Sequence, residues 1–163
     1  MTNEACEVPE ACEPPLLSLE EVEALACGAH AGQTDKAGRP YAEHLRAVAE
    51  GTRARGGSEE QIAAAWLHDA VEDQALSAQW LEQAALAPAA KAIVRALTKR
   101  EDEEPEAYAA RILATPGARL VKAADLAHNC DPARRAALDN PTRERLARKY
   151  ARMRELLGLT EDA

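Results

Sequence analysis

An all-α domain is what this sequence predicts, and three observations predict it. Aromatic content is 3% with no Phe, while apolar residues make up 47% of the chain. The core must therefore be built from Ala, Leu, Val and Ile with two Trp, a palette suited to closely approaching helices. Apolar residues recur at helical spacing between recognisable cap signals, and no sustained period-2 alternation or hairpin dipeptide interrupts them. At 163 residues the chain is long enough for one domain with a real core, of seven or eight helices.

Residues 1–16 combine Glu and Pro with little hydrophobicity and read as a tail ahead of a domain spanning 17–158, with 159–163 a second short tail. Ser18 with Glu21 forms a capping box. It opens a helix with Leu19, Val22, Leu25 and Ala26 on one stripe, running to about His30. The loop "GQTDKAGRP" ends at Pro40, a first-turn residue for a helix to about Arg55, and Gly56-Gly57 breaks that helix. Ser58 with Gln61 is a second capping box, opening a helix over 59–73. Further helices are predicted at 77–86, 88–99 and 105–114, the last two separated by "KREDEEP". Pro116-Gly117 turns the chain into "ARLVKAADLAHN". Asn140 and Pro141 cap and open a final helix, with Leu146, Tyr150, Met153 and Leu157 along one side.

Lys and Arg number 20 against 28 Asp and Glu, a net charge of −8. There is no global basic footprint for a nucleic-acid polymer, so an anionic small substrate would need a metal or a local cluster of Lys and Arg. No stretch approaches the roughly 20 apolar residues that span a bilayer. The start, "MTNEACEVPEACEPP", lacks the basic and apolar regions of a signal peptide. A cytoplasmic location without a membrane partner is the expectation, and the oligomeric state leaves no signal. Cys6, Cys12, Cys27 and Cys130 match no zinc-ribbon spacing and are expected as free thiols.

Chemistry concentrates in "AAWLHDAVED", residues 64–73. Ile62 and Trp66 point to the core of the predicted helix, and His68, Asp69, Glu72 and Asp73 fall on a second face. The pairs 68/72 and 69/73 are i,i+4 neighbours, so the four side chains would form one patch. Three carboxylates at short range repel unless a cation or proton is shared, and no Lys or Arg lies on this helix. A divalent metal resolves that economically. In "LVKAADLAHN", Lys122, Asp125 and Asn129 recur on one stripe while His128 turns away from it. In "ALACGAHAG", His30 closes an otherwise apolar helix.

Together, His30, His68-Asp69 and Asp125 give the ordered H…HD…D pattern, accompanied by HDxxED and KxxDxxxN. From about residue 18 to 157 the sequence resembles the HD superfamily of metal-dependent phosphohydrolases. The resemblance implies an all-α HD-domain bundle with His30, His68, Asp69 and Asp125 as metal ligands. Mixed imidazole and carboxylate ligands suit Mn²⁺, Fe²⁺, Co²⁺ or Zn²⁺ better than Ca²⁺. "AHAGQTDKAGRPYAEH", "LHDAVED" and "LVKAADLAHN" are further similar to RelA/SpoT hydrolase domains and small alarmone hydrolases, which remove the 3′-pyrophosphate of (p)ppGpp with Mn²⁺.

That likeness implies that Glu72 and Asp73 handle the attacking water, with Lys122 and Asn129 supporting site and ligand. Lys36, Arg39 and Tyr41, on the loop after the first helix, are candidate substrate contacts, as is Arg46; His44 reads as a supporting or structural residue. The chain departs from the family at three places. Asp35-Lys36 stands where the family has Arg-Lys, whose Arg helps hold the guanine base. His44-Leu45 replaces His-Pro, and Leu126 with "HNCDPA" replaces an Arg followed by His-Asn-Met-Arg. These departures touch the nucleotide pocket, not the metal. An HD nucleotidase of other specificity, or a non-catalytic nucleotide-binding regulator, are the other classes compatible with the sequence.

Overall fold

A computed structural model describes residues 13–160, so residues 1–12 of the expected N-terminal tail, with Cys6 and Cys12, lie outside the described residues. Those residues form nine helices and no strand: α1 Leu19–Ala29, α2 Tyr41–Ala54, α3 Glu59–Leu67, α4 Ala78–Gln83, α5 Pro88–Leu97, α6 Pro105–Ala114, α7 Ala118–Asn129, α8 Pro132–Ala136 and α9 Asn140–Leu156. The only extended pairing among them is an isolated bridge between Thr34 and Pro40, closing the α1–α2 loop.

The caps are mostly those the sequence announces. Ser18 with Glu21 and Ser58 with Gln61 both form reciprocal capping boxes, each satisfying backbone donors at both ends of the first turn. Gly56 turns the chain with a φ of +75°, and a Cβ on Gly57 would stand 2.8 Å from the Thr52 carbonyl oxygen. Pro88 and Pro105 occupy first turns. The helix expected over 77–86 is shorter, because Ala84 is already extended. The final helix is capped by Asp139 through Thr142, not by Asn140. α8 was not foreseen; Asp131 caps its five residues and none of them is buried.

Helix α3 is the central element. Ile62 to Leu67 are all buried, as befits a helix that packs against α1, α2, α5 and α7 and has no solvent face to keep polar. Around it, α2 and α7 lie side by side. Small residues allow this: a Cβ on Gly51 of α2 would stand 3.3 Å from Ala124 Cβ of α7. The core therefore forms without Phe, through close backbone approach and Leu45, Leu67, Leu81, Ile93, Ile112, Leu126 and Leu157 as its largest fully buried apolar side chains.

The α5–α6 loop is pinned by Arg111. Its guanidinium donates to both Glu103 oxygens at 2.6 and 2.8 Å and to the carbonyls of Thr98 and Arg95. The guanidinium hydrogen bonds hold the Glu103 carboxyl down at about 2. This lowered pKa stabilises the fold above the ordinary carboxylate range, and the contribution is lost as pH falls through about 2. Replacing Arg111 with Met should cost about 2 kcal/mol by leaving two carbonyls unpaired and the Glu103 carboxylate with only the Arg100 amide as donor. The check is a lowered urea midpoint at pH 7 with unchanged slope. The deficit should shrink toward pH 2, where the native protein loses the pair as well.

Candidate metal centre

The predicted helix over 59–73 stops six residues early. In a continued helix the Ala65 carbonyl would accept the amide of Asp69. Instead the ring Nδ1 of His68 lies 2.7 Å from that carbonyl, and only a protonated Nδ1 can make this bond. From Leu67 onward the chain runs through successive turns, with Ala70 N bonded to Leu67 O and Asp73 N to Asp69 O. Gln74 adopts a positive φ of 58°. The HD pair thus sits on a helix end. With its Nδ1 proton committed, His68 turns its Nε2 into the pocket, where that nitrogen is buried without a hydrogen-bond partner.

Asp125 reaches this point from α7 and Asp69 from the turn. His68 Nε2 lies 3.0 Å from Asp69 Oδ2 and 3.6 Å from Asp125 Oδ1. Neither carboxylate is left to repel the other uncompensated. Lys122 Nζ donates to Asp125 Oδ2 at 2.6 Å, Asn129 Nδ2 to Asp125 Oδ1 at 2.9 Å, and Tyr41 Oη to Asp69 Oδ2 at 2.5 Å. Burial opposes charge on Asp125, yet Lys122 and the two histidines hold it well below the usual carboxylate range. Burial likewise works against a charged His68, but Asp69 and Asp125 outweigh it and raise that imidazole well above its ordinary value. The pocket between these groups favours a positive charge.

The structure brings His44, not His30, into this cluster. His44 Nε2 stands 3.2 Å from Asp125 Oδ1 and 3.7 Å from Asp69 Oδ2. Donor atoms of His44, His68 and Asp69 all lie within 4.8 Å of one another. His30 is separated from them by the Tyr41 ring, on which it stacks at 5.1 Å. The reason is positional: His30 ends α1, whereas His44 sits one turn into α2 and faces α7. His30 Nδ1 bonds Gln33 Oε1 at 2.7 Å, and Gln33 Nε2 donates to Asp73 Oδ2 at 2.8 Å. His128, expected to turn away, meets His44 with the two Nδ1 atoms 2.7 Å apart, so one proton joins the rings. Burial, with His44 beside it, depresses His128 to about 4, leaving it neutral.

Beyond the cluster opens a cavity of about 440 Å³ lined by Glu72, Asp73, Lys122 and Asn129 among others. The Glu72 carboxylate accepts the Lys99 amide at 2.7 Å, and its burial in the cavity wall pushes its pKa up. Lys36 and Tyr41 also line the cavity. Arg39 and Arg46 do not: Arg39 pairs with Glu43 at 2.8 Å and Arg46 with Glu23 at 3.7 Å. Four further cations do, Lys99, Arg134, Lys149 and Arg152. Lys149 and Arg152 had a signal in the sequence, since they flank Tyr150 and Met153 on one helix. Arg134 had none, because α8 itself was unforeseen.

The donor set fits a divalent cation: two imidazoles, one with an orphaned buried nitrogen, and two carboxylates braced by other donors. A chain of net charge −8 here concentrates positive side chains around such a centre, which suits a phosphorylated ligand.

A family model described as "HD domain" matches residues 23–163. A curated relative, the "Probable guanosine-3′,5′-bis(diphosphate) 3′-pyrophosphohydrolase" of Synechocystis sp., is 49% identical over 53 residues, 32% of this chain. The matched part spans only 7% of that relative's length. Among the described residues no helix is long and apolar enough to cross a membrane. With the match running through every helix from α1 to α9, the chain belongs to the HD domain family and resembles RelA/SpoT-type hydrolases.

Proposed function

We propose that the chain is a divalent-metal phosphohydrolase acting on a nucleotide, of the guanosine-3′,5′-bis(diphosphate) 3′-pyrophosphohydrolase type, with Mn²⁺ as its metal. The observation that carries this reading is the meeting of His44, His68, Asp69 and Asp125 beneath a cavity walled by lysines and arginines. The activity named for the Synechocystis relative supplies the substrate class.

In this reading His44, His68, Asp69 and Asp125 hold the metal. When bound, a divalent cation lowers the pKa of water and polarises a phosphoryl group. The protein supplies the rest. His68 is fixed in the required tautomer by the Ala65 carbonyl, and His44 by donating its Nδ1 proton to neutral His128. Lys122 and Asn129 orient Asp125, and Tyr41 orients Asp69. Glu72 is the group that takes the proton from the attacking water, since its raised pKa moves it toward working pH. Asp73, aimed by Gln33, holds that water. Lys36, Lys99, Lys149 and Arg152 neutralise the phosphates. Arg39 and Arg46, away from the cavity, take no part.

Two outcomes check this. The native protein, purified and analysed for metal, should hold about one equivalent, and His44→Ala or Asp69→Ala should weaken binding on the order of 100-fold or more. His30→Ala should keep its metal. Retention by His44→Ala, or loss by His30→Ala, would return the ligand role to His30. In a panel of nucleotides assayed with several metals, Mn²⁺ should support pyrophosphate release from ppGpp. Glu72→Gln should lower kcat by about 10²–10⁴ while metal content stays unchanged. Turnover of another nucleotide with none of ppGpp would reject the alarmone substrate and leave a metal-dependent nucleotidase. Metal binding without turnover of any nucleotide would leave a regulator.

A further inference from the structure

Asp35 on the α1–α2 loop is an anion that the cavity never meets as one. Its side chain is 3% exposed. Oδ1 accepts the amides of Ala37 and Arg39 at 2.9 and 3.0 Å, and Oδ2 accepts Arg134 Nη1 at 2.8 Å. The amide bonds fix the carboxylate within its own turn, so the ion pair orients Arg134 rather than the reverse. Arg134 comes from α8, 99 residues along the chain, and lines the cavity with its side chain 17% exposed. Asp35 is its one side-chain partner among the described residues, which leaves most of the guanidinium's donors and its planar face uncommitted.

Its surroundings differ from those of the other cavity cations. Lys36, Lys99, Lys122 and Lys149 line the cavity as ammonium groups, and the Arg152 guanidinium is paired with Glu106 and Glu155. Arg134 instead keeps its guanidinium free beyond Asp35, in a cavity also lined by Tyr150, Leu126 and Leu138. A flat cation in a cavity that also carries an aromatic ring and aliphatic side chains suits a planar, weakly polar group better than a phosphate. Resting on the nucleotide reading above, we infer that Arg134, held in place by Asp35, is the residue that recognises the substrate's base by stacking. Two of the three places where the chain departs from the family pattern then have one explanation. Asp35 has become the anchor of the base-reading cation, and Leu126 is part of the apolar wall beside it.

The test compares ligands with and without a base. Calorimetric binding of GDP and of inorganic pyrophosphate to the metal-loaded native protein is set against Arg134→Met, Arg134→Lys and Asp35→Asn. Arg134→Met should weaken GDP about tenfold or more and leave pyrophosphate within about twofold. Arg134→Lys keeps the ion pair but lacks the planar face, so it should match the native thermal midpoint and still lose GDP affinity. Asp35→Asn should lose GDP affinity, with no additional loss when combined with Arg134→Met. Equal weakening of GDP and pyrophosphate would overturn base recognition, and so would full rescue by lysine. If ppGpp is not hydrolysed but the GDP–pyrophosphate contrast holds, the alarmone substrate fails and the role of Arg134 stands.

Discussion

Two aspartates facing one another inside an alanine-rich bundle set the conditions for everything around them. Asp69 and Asp125 are separated by 56 residues of sequence, yet both approach the rings of His44 and His68 within 4 Å. Two carboxylates cannot share a buried pocket unless positive charge or donors offset each one. The protein provides an ammonium, an amide, a phenol and two imidazoles from three different segments: α2, the end of α3, and α7. The requirement explains why hydrogen bonds from three helices converge on a single point of an otherwise apolar core. It also explains why the pocket remains receptive to a cation.

The early end of α3 serves the same arrangement. A helix continued through Asp73 would carry Asp69 and Asp73 on one face at fixed spacing, pointing wherever the helix axis dictated. By taking the Ala65 carbonyl for itself, the His68 ring ends the helix and becomes rigid in one step. The turns that follow aim Asp69 at the histidines and place Glu72 under the Lys99 amide. Local backbone irregularity here is a means of directing side chains, at a place where a regular element cannot.

The helices and their caps were legible because capping boxes, prolines and apolar stripes are local. So was the gathering of the HDxxED and KxxDxxxN side chains at one place, since the members of each motif are neighbours in sequence. Which histidine completes the cluster was not legible. His30 and His44 are 14 residues apart on either side of one loop, and order along the chain does not distinguish them. Only the packing of α2 on α7 selects His44. The 59–73 helix was overextended because periodicity records which residues are apolar and not which side chain will compete for a carbonyl. Asp35 reads as a lost cation in one dimension, whereas in three it brings a cation from a helix too short to leave a pattern.

Gly51 lies seven residues beyond His44 on α2, about 10 Å along its axis, and touches none of the donor atoms. Yet its hydrogen is what lets α2 approach Ala124, the residue immediately before Asp125. The 3.2 Å between His44 and Asp125 is therefore a mechanical quantity, set by how closely two helix backbones can lie two turns away. A side chain at that glycine would act as a wedge, with the pivot at the helix contact and the opening at the donors. The span available to a bound ion is written into the smallest residue of the interface.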